Sequence, residues 1–316
     1  MLPNSFKPML ASMGEPFDSP DFLYEIKWDG YRCLAFLDGA TRLQSRNLNS
    51  LSLLFPELSN LHHRVSAAGA LIDGEIVALR NGLPSFQELQ KRAQLRKTDQ
   101  IKAMVQTIPV VYIVFDLLFL KGQPIYQEPL TKRRLLLEEI VTTSDELILA
   151  SQTIQHGQAY FKAVSQLGLE GVIAKQRDSA YFPGKRVKSW LKFKNKRRGN
   201  FIICGYVINP TTRGELSSLV LGAYQGQSLK YYGLVGTGFT QSELKSIQTE
   251  LQKISCETAP FPKQKISLSN ACWIWTKPLV VCEVEFLELT DEGSLRHPSF
   301  QSFRPDLRPI DCQYDG

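Results

Sequence analysis

The chain changes texture after Arg198, and that break limits its fold more than any other feature. Before it, strand-like segments at 31–37, 70–79, 110–119, 171–175 and 189–194 are rich in Val, Ile, Phe and Tyr and bounded by turn residues. Helical patterns at 85–95, 131–142 and 157–167 lie between them. The first opens with a capping signal, Ser85 with Glu88 three residues on. The second has charge on one face and leucines on the other, the pattern of a helix that packs by its apolar side. After Arg198, short strands at 201–207, 219–224, 229–234 and 280–289 are joined by Gly-containing turns, with one amphipathic helix at 241–254. Short strands with a single helix predict a small β-barrel such as an OB-fold. A chain of 316 residues is expected to hold about two domains. The reading is an α+β domain over 1–198 followed by an OB-fold domain over 199–316.

Charge follows the same break. The chain carries 37 Lys and Arg against 31 Asp and Glu, a net charge of +6. Residues 199–316 hold 10 basic and 12 acidic side chains, which leaves 27 and 19 to the first 198. Residues 184–198 alone contain eight basic residues and no acid. Within them Trp190, Leu191 and Phe193 interleave with Lys192 and Lys194, which reads as a strand with one basic face. A charge run is commonly just a solvated face. A local basic stripe threaded with apolar residues fits phosphate or nucleic acid better than a diffuse charge does.

Composition excludes several classes. Hydrophobic residues make up 43% of the chain, too many for a disordered or collagen-like protein. The six cysteines show no CxxC spacing and only four histidines accompany them, which argues against a structural zinc site. The first residues lack the apolar core of a signal peptide. The longest apolar stretch, 109–120, is too short to span a membrane and contains Asp116. The expectation is a cytoplasmic protein with reduced thiols and no membrane partner.

The sharpest local feature is Glu25-Ile26-Lys27-Trp28-Asp29-Gly30-Tyr31-Arg32. A tight turn after a strand would by itself explain Asp29-Gly30. Five further segments follow in order: Ser45-Arg46-Asn47, Asp73-Gly74-Glu75, Phe115-Asp116-Leu117-Leu118, Glu170-Gly171-Val172-Ile173-Ala174-Lys175 and Trp190-Leu191-Lys192-Phe193-Lys194. Together they resemble the nucleotidyltransferase motifs of ATP-dependent DNA ligases. The resemblance continues through Gly233 to Phe239, Arg296-His297-Pro298-Ser299-Phe300 and Arg304-Pro305-Asp306. In this last part it is to the ligase domain of bacterial end-joining ligases. It implies a nucleotidyltransferase (adenylation) domain of antiparallel sheets flanked by helices, then an OB-fold.

The resemblance also implies a chemistry. Lys27 would attack the α-phosphate of ATP and expel pyrophosphate. The lysyl-AMP would pass AMP to a DNA 5′-phosphate, and the 3′-OH would displace it. The amine must be neutral to attack, and the metal, Lys192, Lys194 and Arg32 are the neighbouring cations that would favour that form. By the same resemblance, Glu25 would meet the adenine amine and Phe115 would stack on the base. Arg32 and Arg46 would bind ribose or phosphate through planar forks. Glu75 would accept from a ribose hydroxyl or lie near the metal, and Glu170 would hold the divalent ion. Lys192 and Lys194 would neutralise the α-phosphate. Arg186 would either reach the nucleotide or be a solvated member of the charge run. Mg²⁺ (or Mn²⁺) is expected from carboxylates beside a triphosphate.

In the second domain, Arg304 and Asp306 would close over the nucleotide and orient pyrophosphate. The family usually has a basic residue after that aspartate. Here Leu307 stands there, with Arg308 one place late. The length fits a minimal ligase acting as a monomer on nicked or broken duplex DNA, with a DNA-end-binding protein as a further expected partner. The competing readings are an RNA ligase, a capping-type nucleotidyltransferase and a non-catalytic OB-fold nucleic-acid-binding protein.

Overall fold

A computed structural model describes residues 1–80, 82–208, 214–261, 272–290 and 292–314. Its contacts divide the chain into two units, Met1–Asn195 and Lys196–Gly316. The division falls three residues before the expected boundary. The strand Arg197–Ile208 starts the second unit, and Lys196 and Arg198 pair there with Glu285 and Glu283. The end of the basic run is thus neutralised within the second unit.

Among the described residues the first unit holds two sheets. One has the order Leu10–Met13, Arg186–Lys194, Gly171–Gln176, Ser19–Ile26, Gln152–Gln155. The other runs Thr41–Ser45, Tyr31–Leu37, Ala70–Arg80, Val110–Leu120, Gln123–Pro124, with Leu83–Pro84 and Leu147–Leu149 attached. All pairings are antiparallel except Leu10–Met13 on Arg186–Lys194 and Leu147–Leu149 on Val110–Leu120. The central strands read as continuous apolar runs because both faces are covered. In Tyr31–Leu37, Cys33, Ala35 and Leu37 enter one core, while Leu34 and Phe36 enter the core that also holds Met9 and Trp190. Successive side chains point to opposite faces, so one strand serves both.

The strand Val110–Leu120 breaks that alternation. Gly74 pairs with Val114 and Asp73 with Asp116, so Phe115 is an extra residue in the ladder. Such a bulge bends a strand and re-aims a side chain. Asp73 and Asp116 lie opposite one another and are fully buried. Each is clamped by an arginine. Arg32 forks onto Asp73 at 2.6 and 2.7 Å, and Arg133 forks onto Asp116 at 2.7 and 2.8 Å.

That clamp overturns the expected face of one helix. The helix forms over Leu130–Ile140 with Lys132, Glu138 and Glu139 exposed as expected, but two of its charged residues face inward. Arg133 and Arg134 are buried, and Leu135 is exposed. Arg133 reaches Asp116 and the Ser179 carbonyl, and Arg134 donates to the Ala150 carbonyl at 2.7 Å. Of the other two expected helices, Phe86–Ala93 is capped by Ser85, and Gly157–Gln166 packs on the first sheet through Val164. The capping pattern at Ser85 is half realised: its hydroxyl accepts from the Glu88 N–H.

In the second unit the order is Ser228–Val235, Leu216–Gln225, Arg197–Ile208, Cys272–Phe286, Ser255–Cys256, with Ser299–Phe303 on Cys272–Phe286. This is the curled sheet of an OB-fold. The helix Gln241–Gln252 starts from a Thr240–Glu243 capping box and buries Ile247 and Leu251 against Phe201 and Leu219.

One glycine fixes the junction that the site depends on. Gly171 has φ +146°, and a Cβ there would sit 1.9 Å from the Phe193 carbonyl. Its own carbonyl accepts from the Lys27 N–H at 2.8 Å. Gly171→Ala is therefore expected to cost about 2–3 kcal/mol. Urea unfolding checks this, and an unchanged midpoint would contradict it.

Candidate active site

Lys27 directly follows the strand Ser19–Ile26. Glu170 directly precedes Gly171–Gln176, the neighbour of that strand. Sheet register therefore brings the two together, and the Lys27 ammonium is ion-paired to Glu170 Oε2. On the other side Gly171 pairs with Lys194, whose Nζ lies 3.7 Å from Glu170 Oε1. The acid thus stands between two lysines, 9% exposed. Trp190, Lys192 and Lys194 share one face of their strand and line a cavity of about 290 Å³. Leu191 and Phe193 face the opposite core. Burial lowers the Lys192 pKa, and Lys194, Arg186 and Lys27 push the same way.

The inner end of the cavity is a second ion pair. Glu25 and Lys175 are both buried, with Oε2 and Nζ 2.6 Å apart. Arg134 Nη1 stands 3.6 Å from Glu25 Oε1, beyond good hydrogen-bond range, and that oxygen has no hydrogen-bond partner. The Lys175 ammonium lies 4.1 Å from the centre of the Phe115 ring and 4.4 Å from that of Trp190. Burial lowers the Lys175 pKa, and the Glu25 carboxylate opposes it.

The opposite wall comes from the second sheet. The bulge turns Phe115 into the cavity, where the Arg32 guanidinium carbon lies 4.6 Å from its ring centre. Burial disfavours the Arg32 charge, but Asp73 outweighs it and raises the pKa above the ordinary value. Asp73 also accepts from the Tyr181 hydroxyl at 2.6 Å, and that oxygen accepts from the Met9 N–H at 2.8 Å. Glu75, two residues along, lines the cavity. Burial pushes its carboxyl up to about 8, Arg32 and Lys27 oppose the shift, and Glu170 adds to it. Arg46 and Arg186 are exposed at the cavity's edge, with Arg186 donating to the Ala11 carbonyl.

Lys27, Glu25, Arg32, Arg46, Glu75, Phe115, Glu170, Arg186, Lys192 and Lys194 therefore converge in the first unit. Arg304 and Asp306 belong to the second. There they fork onto each other at 2.9 and 2.7 Å, and Arg304 also donates to Asn200. Arg308 is not a free substitute for the missing basic residue, because Asp311 occupies its guanidinium at 3.1 and 2.9 Å. Sequence reasoning missed Lys175, Arg134 and Tyr181. Lys175 could have been found, since Ile173 and Lys175 share the strand face that lines the cavity.

Among the described residues no group of three or more His, Cys, Asp or Glu could hold a metal ion. Two carboxylates, Glu75 and Glu170, suit Mg²⁺ or Mn²⁺, ions that take remaining oxygens from phosphate and water. No helix among the described residues is long and apolar enough to cross a membrane.

An α+β unit with this cleft, joined to an OB-fold, defines a nucleotidyltransferase of the ligase type. Residues 1–194 match the family described as ATP dependent DNA ligase domain, and residues 212–307 match the ATP dependent DNA ligase C terminal region. The chain belongs to the ATP-dependent DNA ligase family. It is 32% identical to the multifunctional non-homologous end joining protein LigD of Mycolicibacterium smegmatis, over 99% of this chain and 40% of that protein. The chain thus spans about two fifths of the LigD relatives it matches. It is 30% identical to the SPbeta prophage-derived DNA ligase-like protein LigB of Bacillus subtilis, over 94% of this chain and 97% of that one. A solved structure of mycobacterial DNA ligase D complexed with ATP and MES superposes with TM-score 0.55 at 31% identity, covering 98% of both chains.

Glu75 sets a pH dependence with a definite sign. Unfolded, the carboxyl ionises near 4.5, and folded it holds its proton to about 8. Between those values the folded state binds more protons, so raising the pH favours unfolding. In metal-free protein, Glu75→Gln is expected to remove a loss of stability that wild type suffers as pH rises from 4.5 to about 8. Urea melts across that range check it, and parallel curves for the two proteins would contradict it.

Proposed function

We propose that this protein seals 3′-OH/5′-phosphate nicks in duplex DNA, with ATP as the AMP donor and Lys27 as the nucleophile. The observation that carries the reading is the cleft itself. A lysine held by Glu170 shares a cavity with Lys192 and Lys194, with Arg32 set against the aromatic wall, and with the buried carboxylate of Glu25. That arrangement suits a nucleotide: cations for phosphate, Phe115 and Trp190 for a base, and Glu25 for an amine donor.

The Lys27 amine attacks the α-phosphate, a P–N bond forms, and the bond to pyrophosphate breaks. Glu170, at the start of the neighbouring strand, holds the lysine at its strand end and is the nearest acceptor for its proton. Lys192 and Lys194 meet the charge that grows on the phosphate oxygens, in a site already arranged for it. Arg32, fixed by Asp73, keeps its fork from swinging and presents a set cation to ribose or phosphate. Glu75 and Glu170 would hold a divalent ion, which when bound polarises the phosphoryl oxygens. AMP then passes to the DNA 5′-phosphate, and the 3′-OH displaces it. Arg304 and Asp306 act in the first step by orienting pyrophosphate.

Duplex DNA is the partner, bound through phosphate contacts of the basic face. A second reading, joining of broken ends with a DNA-end-binding protein, is favoured by the similarity to the LigD proteins. We place the protein in the cytoplasm and working as a monomer.

The test is sealing of a panel of nicked and broken duplexes with ATP, GTP or NAD. Sealing is expected with ATP alone. Lys27→Ala is expected to abolish sealing while still binding nicked duplex in a gel-shift assay. Sealing by Lys27→Ala, or by wild type with NAD but not ATP, would overturn the assignment.

A further inference from the structure

We propose that Tyr181 is a positioning residue for the Arg32 guanidinium, acting through the Asp73 carboxylate. What Arg32 then meets, ribose or phosphate, rests on the ligase reading, whereas the geometry that holds it does not.

Asp73 is fully buried, and three hydrogen bonds reach it. Two come from Arg32, Nε to Oδ1 at 2.6 Å and Nη2 to Oδ2 at 2.7 Å. The third comes from the Tyr181 hydroxyl, 2.6 Å from Oδ2. A fork of two bonds sets guanidinium and carboxylate in one plane relative to each other. It does not set that plane in the cleft, because the terminal torsion of an aspartate is broad. The neighbouring rings do not set it either. The guanidinium carbon lies 4.6 Å from the centre of Phe115 and 5.7 Å from that of Trp190, and a ring face lets a flat cation slide. The Tyr181 hydroxyl, coming from a third direction, removes the remaining rotation. With Nε and Nη2 spent on Asp73, Nη1 is the nitrogen that remains for a ligand in the cavity, and the plane of the fork aims it.

Tyr181 is itself tied at both ends. Its N–H donates to the Tyr126 carbonyl at 2.7 Å, and its ring packs edge-on against Trp190 with centres 5.6 Å apart. The hydroxyl oxygen accepts from the Met9 N–H at 2.8 Å, so its one proton is directed at Asp73. Burial and the Asp73 charge both push the hydroxyl pKa well above its ordinary value, so that proton stays in place. The neighbouring clamp shows what the hydroxyl replaces. Asp116 also accepts a fork, from Arg133, but takes its third bond from the Leu117 N–H at 2.9 Å. Arg133 is fixed further by the Glu128 and Ser179 carbonyls. The backbone thus holds the Asp116 clamp, whereas a side chain 108 residues away holds the one that faces the cavity.

The test is Tyr181→Phe, which removes the hydroxyl and keeps the ring. Two quantities are measured at a temperature where both proteins are fully folded. One is the single-turnover rate of self-adenylation with ATP. The other is the exchange with water of the Nε–H of Arg32 and of Arg133, followed by ¹⁵N NMR. Adenylation is expected to slow roughly ten- to a hundredfold, the cost of a misplaced reacting group. The Arg32 Nε–H is expected to shift and exchange faster, while that of Arg133 stays as in wild type. Unchanged adenylation would overturn the proposal. So would equal loosening of both arginines, which marks a packing role only, or slowed adenylation with the Arg32 signal unmoved. Should Tyr181→Phe fail to fold, 3-fluorotyrosine installed at position 181 keeps the shape and makes the hydroxyl a stronger donor. The Arg32 resonance then shifts and that of Arg133 does not, and no shift at Arg32 overturns the proposal. Wild type that forms no adduct with ATP would overturn the ligase reading alone, since the Arg32 exchange reads the positioning without it.

Discussion

Two carboxylates, Asp73 and Asp116, face each other across neighbouring strands in the middle of a sheet, both without solvent exposure. Left alone they would repel, and burying two unpaired charges is costly. Each is instead held by both prongs of an arginine. Removing either arginine would strand a buried charge, which is far costlier than the pair is stabilising. The fold around the cleft follows from meeting that constraint. Arg133 comes from the helix Leu130–Ile140 and fixes it against the sheet. Arg32 comes from the strand beside the nucleophile turn and is fixed with its guanidinium against Phe115. Tyr181 completes Asp73 and ties it to Met9, at the start of the chain.

The same place in the sheet supplies the bulge that turns Phe115 into the cleft. One irregularity therefore does two things. It brings the acids into register with each other and presents an aromatic face to the cavity. The other sheet contributes by regularity instead. Lys175, Lys192, Lys194 and Glu25 are where they are because antiparallel register and two-residue alternation put them on one face, and Glu170 joins them from just before Gly171. The site is thus an irregular wall opposite a regular one.

This division also decides what could be read from the sequence. The strands Tyr31–Leu37, Ala70–Arg80 and Val110–Leu120 announced themselves as apolar runs, and Lys192 and Lys194 were visible as spaced charges. Arg133 and Arg134 were misread because a periodic pattern assumes that charge faces water, whereas the acids that draw these arginines inward lie elsewhere in the sequence. Lys175 was passed over for a similar reason: its partner Glu25 is 150 residues away and next to it only in the folded sheet. The edge strands Leu10–Met13 and Gln152–Gln155 are only four residues each, and gain their conformation from the neighbour they pair with. Texture and charge change after Arg198, whereas the contacts divide the chain after Asn195. The basic run crosses that division, and only the pairing of Lys196 and Arg198 with Glu285 and Glu283 assigns those residues to the second unit.

The central claim is that this cleft transfers AMP to one lysine among several. Lys27, Lys175, Lys192 and Lys194 all line it. Lys175 is committed to Glu25, and with Lys192 and Lys194 proposed to meet the phosphate, Lys27 remains as the attacking amine. The direct measurement is peptide mapping by mass spectrometry after incubation with ATP and Mg²⁺, without DNA. AMP on the peptide that carries Lys27, released by acid, is the predicted result. AMP on Lys175, Lys192 or Lys194, or no AMP on the protein at all, would contradict the account.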